Sequence, residues 1–455
     1  VKFTPRVYQK RAIKALLANP HFGLLLKPGL GKTSITLAAL RILLAKEYVD
    51  RVLIVAPLRV CYEVWPMEID KWDEFKFLNY RILHGKTKNL DDLGGVQVCM
   101  INHEGLPWLF AELLKRMWPF DWLVIDESTR FKKTNTVRFK LIKNHLARFS
   151  RRTILTGTPT PNGVIDIFGQ IFCVDLGKSL GRFITHFRNE FFDSEGFGGY
   201  TYVAKPGAEK RILERIKPIT LSMTQEDWLE MPELITNVVT VKLPPAARKV
   251  YDAAELSLLL TIEKETNVVP TVAAALMKCR QIASGGVYFN EREARHLHDA
   301  KIDALESIVE ELEGSPLLVV YEFHHELERI RERFGEIPAL HGGMKPAVVS
   351  GIIRDWNAGR IPLLAAQPQT TATGLNLQDA GNTIAWMSLT WDAENYEQLI
   401  NRVWRSGQKA DRVVVHHIIA ENTVDEIIHE SVAAKWKSQS AFVNGLKRMI
   451  PLKRR

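Results

Sequence analysis

Two hydrophobic rhythms alternate along the chain. Short apolar runs at residues 22–26, 51–56, 96–101, 122–125 and 152–155 have the length of strands buried on both faces. Stretches richer in helix formers separate them, and this alternation predicts a parallel sheet covered by helices. Residues 7–18 predict an amphipathic helix with Val7, Ile13, Leu16 and Leu17 on one face, stopped by Pro20. The rhythm breaks from 177 to 232, a stretch carrying Phe183, Phe187, Phe191, Phe192, Phe197, Tyr200 and Tyr202, with Gly196, Gly198 and Gly199. Phe183, Phe187 and Phe191 recur at helical spacing, which favours core packing over stacking on bases. Residues 246–283 predict two helices separated near Pro270. Alternation then resumes, with strands at 317–321, up to His341, 361–366, 383–387 and 413–419, and helices at 301–312, 324–334, 347–357 and from 423. The expected fold class is α/β: a first lobe over 1–176, a mostly helical insert over 177–295 and a second lobe over 296–455.

The turn after the first run is Lys27-Pro28-Gly29-Leu30-Gly31-Lys32-Thr33-Ser34. Strand, Gly-rich turn and helix start are the order in which backbone N–H groups and a helix N-terminus face a phosphate. Lys32 is placed to reach the β/γ-phosphates, and Thr33 to put its hydroxyl on Mg²⁺. The strict phosphate-loop pattern needs Gly where Leu26 stands, so only the shorter core survives. The run 122–125 leads straight into Asp126-Glu127-Ser128-Thr129. Such an acidic pair after an apolar run is common, but beside Lys32 and Thr33 it suggests a carboxylate for Mg²⁺ (Asp126) and one that orients and deprotonates water (Glu127). Gln9 offers an amide that pairs with an adenine edge, or is a solvated surface residue. Thr156-Gly157-Thr158-Pro159 is a link from nucleotide to polymer, or a plain turn. Gln398, Arg402 and Arg405 fall four and three residues apart, so they are expected to share one helix face. That face is a phosphate clamp or a solvated basic surface.

Composition narrows the class. A chain of 455 residues with 46% hydrophobic content supports two or three domains with real cores. A net charge of +9 favours polyanions or reflects a solvated basic surface. No apolar run has the length of a membrane span and no secretory signal opens the chain, so no membrane partner is expected. Val1 in place of Met suggests a trimmed start. Cys61, Cys99, Cys173 and Cys279 form no C-x-x-C pair, which argues against zinc or a disulfide framework and for an intracellular compartment.

Taken in order, these motifs resemble those of Swi/Snf-type ATPases in helicase superfamily two. Tyr8-Gln9 resembles the adenine-reading motif, and Gly29-Leu30-Gly31-Lys32-Thr33 the family's G-L-G-K-T. Ala56-Pro57-Leu58 resembles the first polymer-contact motif. Asp126-Glu127 is similar to the acidic box, with Arg130 and Lys132 after it as in the family. Leu155-Thr156-Gly157-Thr158-Pro159, followed by Asn162, is close to L-T-G-T-P-L-Q-N. Leu340-His341-Gly342, Gly374-Leu375-Asn376-Leu377, the segment from Gln398 to Gln408, and Thr423-Val424-Asp425-Glu426 resemble the motifs of the second lobe. Departures are Ser128-Thr129 where the family usually has Gly-His or Ala-His, Trp404 for a frequent His, Asn401 for Asp or Gly, and Lys27-Pro28 for an acidic-Met pair.

The resemblance implies two RecA-like parallel-sheet lobes and a minimal motor of the kind seen in bacteria and their viruses. It implies an ATP hydrolase with ATP and Mg²⁺ as cofactors. Gln9, Gly29, Leu30, Gly31, Lys32, Thr33, Ser34 and Gly374 would contact nucleotide, and Thr33 and Asp126 metal. Lys32, Glu127, Gln398, Arg402 and Arg405 would carry catalysis, with the two arginines as fingers in cis. Double-stranded DNA is the expected polymer, held at its backbone by Arg59, Arg130, Lys132, Thr371 and Thr373. A monomer is expected, with protein partners in repair or replication allowed.

Overall fold

All five apolar runs of the first half become neighbouring strands. The structure, a computed structural model, describes residues 1–86, 88–161, 163–195, 201–224, 230–264, 269–289, 293–371 and 375–435. The chain divides into two compact units, Val1–Leu229 and Glu230–Trp436.

In the first unit the strands are β1 (His21–Leu26), β2 (Val52–Val55), β3 (Tyr80–Ile82), β4 (Val98–Ile101), β5 (Trp122–Asp126) and β6 (Arg151–Thr156). A small antiparallel hairpin, β7 (Phe192–Glu195) with β8 (Thr201–Ala204), precedes β9 (Thr220–Met223). The parallel sheet runs β3-β4-β2-β5-β6-β1-β9. Both faces are covered, as a parallel sheet requires. Val52 and Ile54 point into one core, with the helices Val7–Ala18 and Lys32–Ala45. Leu53 and Val55 point into the other, with the helices Leu106–Leu113, Val137–Lys143 and Ile167–Asp175.

The first helix differs from expectation in its face. Val7 is exposed, whereas Tyr8, Gln9, Ala12, Ile13 and Leu16 are buried. At about 100° per residue Val7 falls opposite the Gln9–Ala12–Leu16 stripe.

The second unit holds β10 (Glu233–Val241), the antiparallel pair β11 (Gly286–Tyr288) and β12 (Ala294–His296), then β13 (Leu317–Val320), β14 (Ala339–Leu340), β15 (Leu363–Ala366), β16 (Thr383–Trp386) and β17 (Arg412–Ala420). Its parallel sheet runs β10-β17-β16-β13-β15-β14. A buried ion pair, Lys301–Asp425 at 2.6 Å, ties a covering helix to the segment after β17, and the same ammonium donates to Met387 O at 2.7 Å. Breaking such a pair from one side leaves a buried charge.

Among its described residues, span 177–295 carries the helices Ile184–Phe191, Ala208–Ile216, Pro245–Lys264 and Val269–Ala283, together with β7 to β11 and most of β12. Two of those strands enlarge the main sheets: β9 joins β1, and β10 pairs with β17 over its full length. The insert is therefore divided between the two units rather than standing apart. Phe187 and Phe191 enter the core as their spacing predicts, while Phe183 sits exposed just before the helix starts. Phe197, Tyr200 and the three glycines of that stretch lie outside the described residues. Among those described, no helix is long and apolar enough to cross a membrane.

Candidate active site

The carboxyl ends of β1, β5 and β6 bring the predicted residues of the first unit together. Gly29 and Gly31 have φ of 85° and 75°, a turn that favours glycine. A Cβ at Gly31 would stand 2.6 Å from Gln9 Nε2 and 2.9 Å from Ser34 Oγ, so a side chain there would strain the backbone and push those two groups aside. The helix Lys32–Ala45 begins directly after it with no side-chain cap. A helix start of this kind presents its positive end to an anion. Lys32 Nζ donates to Leu26 O at 2.8 Å, folding the ammonium back over the loop. Glycines, an uncapped helix start and an ammonium fit a nucleotide's phosphates.

Gln9 is buried against this loop, which removes the solvated alternative. Its Oε1 accepts the Arg6 N–H at 2.9 Å, capping the first helix, and its Nε2 faces Gly31.

Asp126 ends β5. Its Oδ2 accepts the indole N–H of Trp65 at 3.0 Å, and its Oδ1 accepts the Glu127 N–H at 3.1 Å. Burial pushes its carboxyl above the ordinary value, and the Lys32 charge, the indole and the Glu127 amide oppose that shift. A carboxylate with a cation and two donors around it is suited to Mg²⁺, and the half-buried Thr33 follows that cation directly in the chain. Glu127 sits at φ 58°, ψ 60°, a left-handed conformation uncommon outside glycine. Its Oε1 accepts Thr129 Oγ1 at 3.3 Å and Thr156 Oγ1 at 3.4 Å. Thr156 also accepts the Thr158 N–H at 3.1 Å. The acidic box is thereby joined to the threonine segment through Glu127, and Thr129, standing where the family has histidine, is part of that join.

A second connection was not legible in the sequence. Ser128 Oγ donates to Gln170 Oε1 at 2.7 Å, and Gln170 Nε2 donates to Pro159 O at 2.6 Å and Asp166 O at 2.9 Å. Gln170 is fully buried on the helix Ile167–Asp175. That helix comes so close to the acidic-box turn that a Cβ on Gly169 would lie 2.2 Å from Phe131 O. Trp65 was missed as well: one indole among 11 tryptophans carries no spacing signal.

The polymer-contact candidates are placed unevenly. Arg130 is exposed at the carboxyl edge of the sheet, and Lys132 Nζ lies 3.9 Å from Asp166 Oδ2. Arg59, just before the π-helical turn Val60–Val64, is held by Glu63 of that turn, Nε to Oε2 at 2.7 Å. Thr371 is the last residue of the short helix Pro368–Thr371. Asn162, Thr373 and Gly374 lie outside the described residues.

In the second unit the helix Ala393–Val403 carries Gln398 and Arg402, but it ends before Arg405. The expectation that all three share one helix face is corrected here. Trp404 is extended at φ −84°, ψ 92°, and its indole donates to Pro232 O at 2.8 Å. Gly407 follows at φ 92°. Gln398 Nε2 donates to Glu394 Oε1 at 3.2 Å, and Arg405 Nη1 to Asn376 Oδ1 at 3.4 Å. Burial lowers the Arg405 guanidinium from its ordinary value, and Asp379 opposes the shift. Gln408 fastens the loop, donating to Gly381 O at 3.0 Å and accepting the Lys409 N–H at 2.8 Å.

Residues 8–285 match the family described as SNF2-related domain, and residues 300–407 the helicase conserved C-terminal domain. The chain is similar to "Putative protein p41" of Acyrthosiphon pisum secondary endosymbiont phage 1, with 36% identity over 463 residues, covering 98% of this chain and 99% of that protein. It is also similar to a "DNA repair and recombination protein RAD54-like" of Drosophila ananassae, at 21% identity over 91% of this chain but only 58% of that protein. A "Chromodomain-helicase-DNA-binding protein 1-like" of Danio rerio is 22% identical over 70% of this chain, which spans 32% of it. Among solved structures it is similar to a Sulfolobus solfataricus SWI2/SNF2 ATPase core in complex with dsDNA, at 21% identity, with 100% of this chain and 96% of that chain covered and a TM-score of 0.45.

Proposed function

This chain belongs to the SNF2-related family of DNA-dependent ATP hydrolases within helicase superfamily two, and from that premise we propose that it is a motor that moves along double-stranded DNA. The observation that carries the reading is the constellation at the ends of β1, β5 and β6. There, Lys32 acts on Asp126, and Glu127 is bonded to Thr156 of the Thr156-Gly157-Thr158-Pro159 segment.

The backbone of Gly29–Ser34 and the Lys32 ammonium would hold the phosphates, and Gln9 the adenine. Thr33 and Asp126 would hold Mg²⁺. A divalent cation held by those two residues would supply positive charge against the negative charge that develops on the phosphates. Glu127 would orient the attacking water and take its proton. Thr129 and Thr156, both on its Oε1, hold the carboxylate in place. Any displacement of the threonine segment by bound polymer therefore reaches that carboxylate directly. Arg402 and Arg405 would stabilise charge in the transition state, with Gln398 one turn before Arg402 on its helix, and the two units would grip backbone phosphates alternately. Contacts to phosphates carry no sequence information, so binding should be non-specific and salt-sensitive.

The relatives named for DNA repair and chromatin work support a setting in repair, recombination or remodelling of protein–DNA complexes. Phosphate release without polymer, and with duplex DNA, single-stranded DNA or RNA, tests the reading. Stimulation by duplex above the others is expected. Equal stimulation by RNA, or no turnover at all, overturns it.

A further inference from the structure

From Ser128 to Ile165 the chain carries nine basic residues and no Asp or Glu, so this one stretch accounts for the whole net charge of +9. Arg151 and Arg152 are buried and spend their guanidiniums on backbone carbonyls such as Leu16 O, Val174 O and Phe149 O. Lys132 lies near Asp166. The other six are Arg130, Lys133, Arg138, Lys140, Lys143 and Arg148. Among the described residues none of these six pairs with a carboxylate. Elsewhere, surface cations are commonly neutralised, as in Lys115–Glu112 at 2.9 Å, Arg333–Asp303 at 3.0 Å and Arg360–Asp355 at 2.5 Å.

Two of the six are positioned without being neutralised. Lys143 Nζ lies 5.2 Å from the centre of the Phe172 ring, and the Arg148 guanidinium 5.0 Å from that of Trp118. A ring face orients a cation and leaves its charge available. Phe139, Ile142, Leu146 and Phe149 enter the core, and that turns Lys133, Lys140, Lys143 and Arg148 outward. The uncancelled charge is felt locally: the buried His103 ring is lowered to about 3, first by burial and then by Arg130 and Arg138. A helix C-terminus favours a cation or two in its last turn. That preference covers Lys140 and Lys143, but not Lys133, Arg148 or the missing carboxylates.

The stretch leaves β5 at its carboxyl edge and returns to β6 at its amino edge. It therefore crosses the depth of the sheet, about 17–20 Å for strands of this length. At one base pair per ~3.4 Å of duplex that is about five base pairs. We propose that Lys133, Lys140, Lys143 and Arg148 form a track on the first unit that holds a further length of duplex backbone, continuous with the candidate contacts Arg130 and Lys132. The track would extend the grip beyond the motif residues and raise the salt dependence of binding.

The inference rests on duplex DNA being the polymer, and the test separates the two. Duplex affinity is measured by anisotropy between 50 and 200 mM salt (about the range over which such contacts respond). Three proteins are compared: wild type, a variant with Lys133→Gln, Lys140→Gln, Lys143→Gln and Arg148→Gln, and a control with Lys115→Gln, Arg215→Gln, Arg333→Gln and Arg360→Gln. The control loses the same charge from paired sites, and thermal melts check that both variants fold. In the track variant, affinity at low salt is expected to fall by about tenfold or more and the salt slope by about three to four. The control should stay near wild type. Equal losses in both variants reduce the effect to net charge and overturn the track, as does wild-type affinity in the track variant. A polyglutamate peptide bound through the track, with duplex affinity untouched, overturns it in favour of an acidic polypeptide. A wild-type protein that binds no duplex refutes the functional reading itself.

Discussion

Trp65 offers the sharpest single perturbation. It is fully buried, and its indole donates to Asp126 Oδ2 at 3.0 Å. It starts the helix Trp65–Lys71 directly after the π-helical turn Val60–Val64, which follows Pro57-Leu58-Arg59. Trp65 thus connects a polymer-contact candidate to the proposed metal carboxylate. Trp65→Phe keeps an aromatic ring and removes the donor. A hydrogen bond to a charged group is worth about 1.5–3 kcal/mol. If that much stabilisation of ionised Asp126 is lost, its pKa, already raised by burial, rises further. The acid limb of kcat/KM should then move to higher pH. Turnover on duplex should fall about 10- to 150-fold. Nucleotide affinity should lose its Mg²⁺-dependent part and keep its value in chelator. Calorimetric titration of ATP with and without Mg²⁺, beside a pH profile, reads both effects, and a thermal melt controls for folding. An unchanged acid limb with an unchanged Mg²⁺ dependence would refute the positioning role. Equal loss of affinity with and without Mg²⁺ would reduce Trp65 to packing.

Glu127→Gln should bind ATP but turn it over poorly, because Asp126 remains, and wild-type turnover in that variant would move water activation elsewhere. Arg402→Ala and Arg405→Ala should each lose on the order of 10³ in kcat while nucleotide affinity stays within a few-fold, as expected of arginine fingers; a large affinity loss with little rate effect contradicts that role. His103 should contribute to acid sensitivity: its native pKa is lowered to about 3, whereas the unfolded ring titrates near ~6.5. Below that pH the unfolded chain binds a proton that the native chain refuses, so stability falls with pH at up to about 1.4 kcal/mol per unit. Urea unfolding of His103→Phe at neutral and acid pH should show a shallower loss than wild type, and an identical pH dependence would sink the assignment.

Much of the fold was legible because a parallel sheet buried on both faces leaves uninterrupted apolar runs. β1, β2, β4, β5 and β6 all lie within or one residue beyond those runs. β10 was harder: it reads Glu233-Leu-Ile-Thr-Asn-Val-Val-Thr-Val and most of it is partly or fully exposed, as an edge strand paired only with β17 can be. β9 is only four residues long and lies in the span expected to be a mostly helical insert. Gly31, Lys32, Asp126 and Glu127 stand out in the sequence because the chemistry proposed for them depends on local order along the chain. Arg405 was misplaced because four-plus-three spacing predicts a helix face only while the helix lasts, and here Trp404 ends it by reaching Pro232 O. Trp65 and Gln170 act on residues 61 and 42 positions away, a distance over which one sequence holds no pairing signal.

The central claim is movement along duplex DNA without separation of its strands, and displacement of a third strand from a triplex tests it most directly. With ATP and Mg²⁺ the wild-type protein should release the third strand, Glu127→Gln should not, and a labelled strand on a forked duplex should stay annealed under the same conditions. Release from the fork without release from the triplex would contradict the account and make the protein a strand-separating helicase.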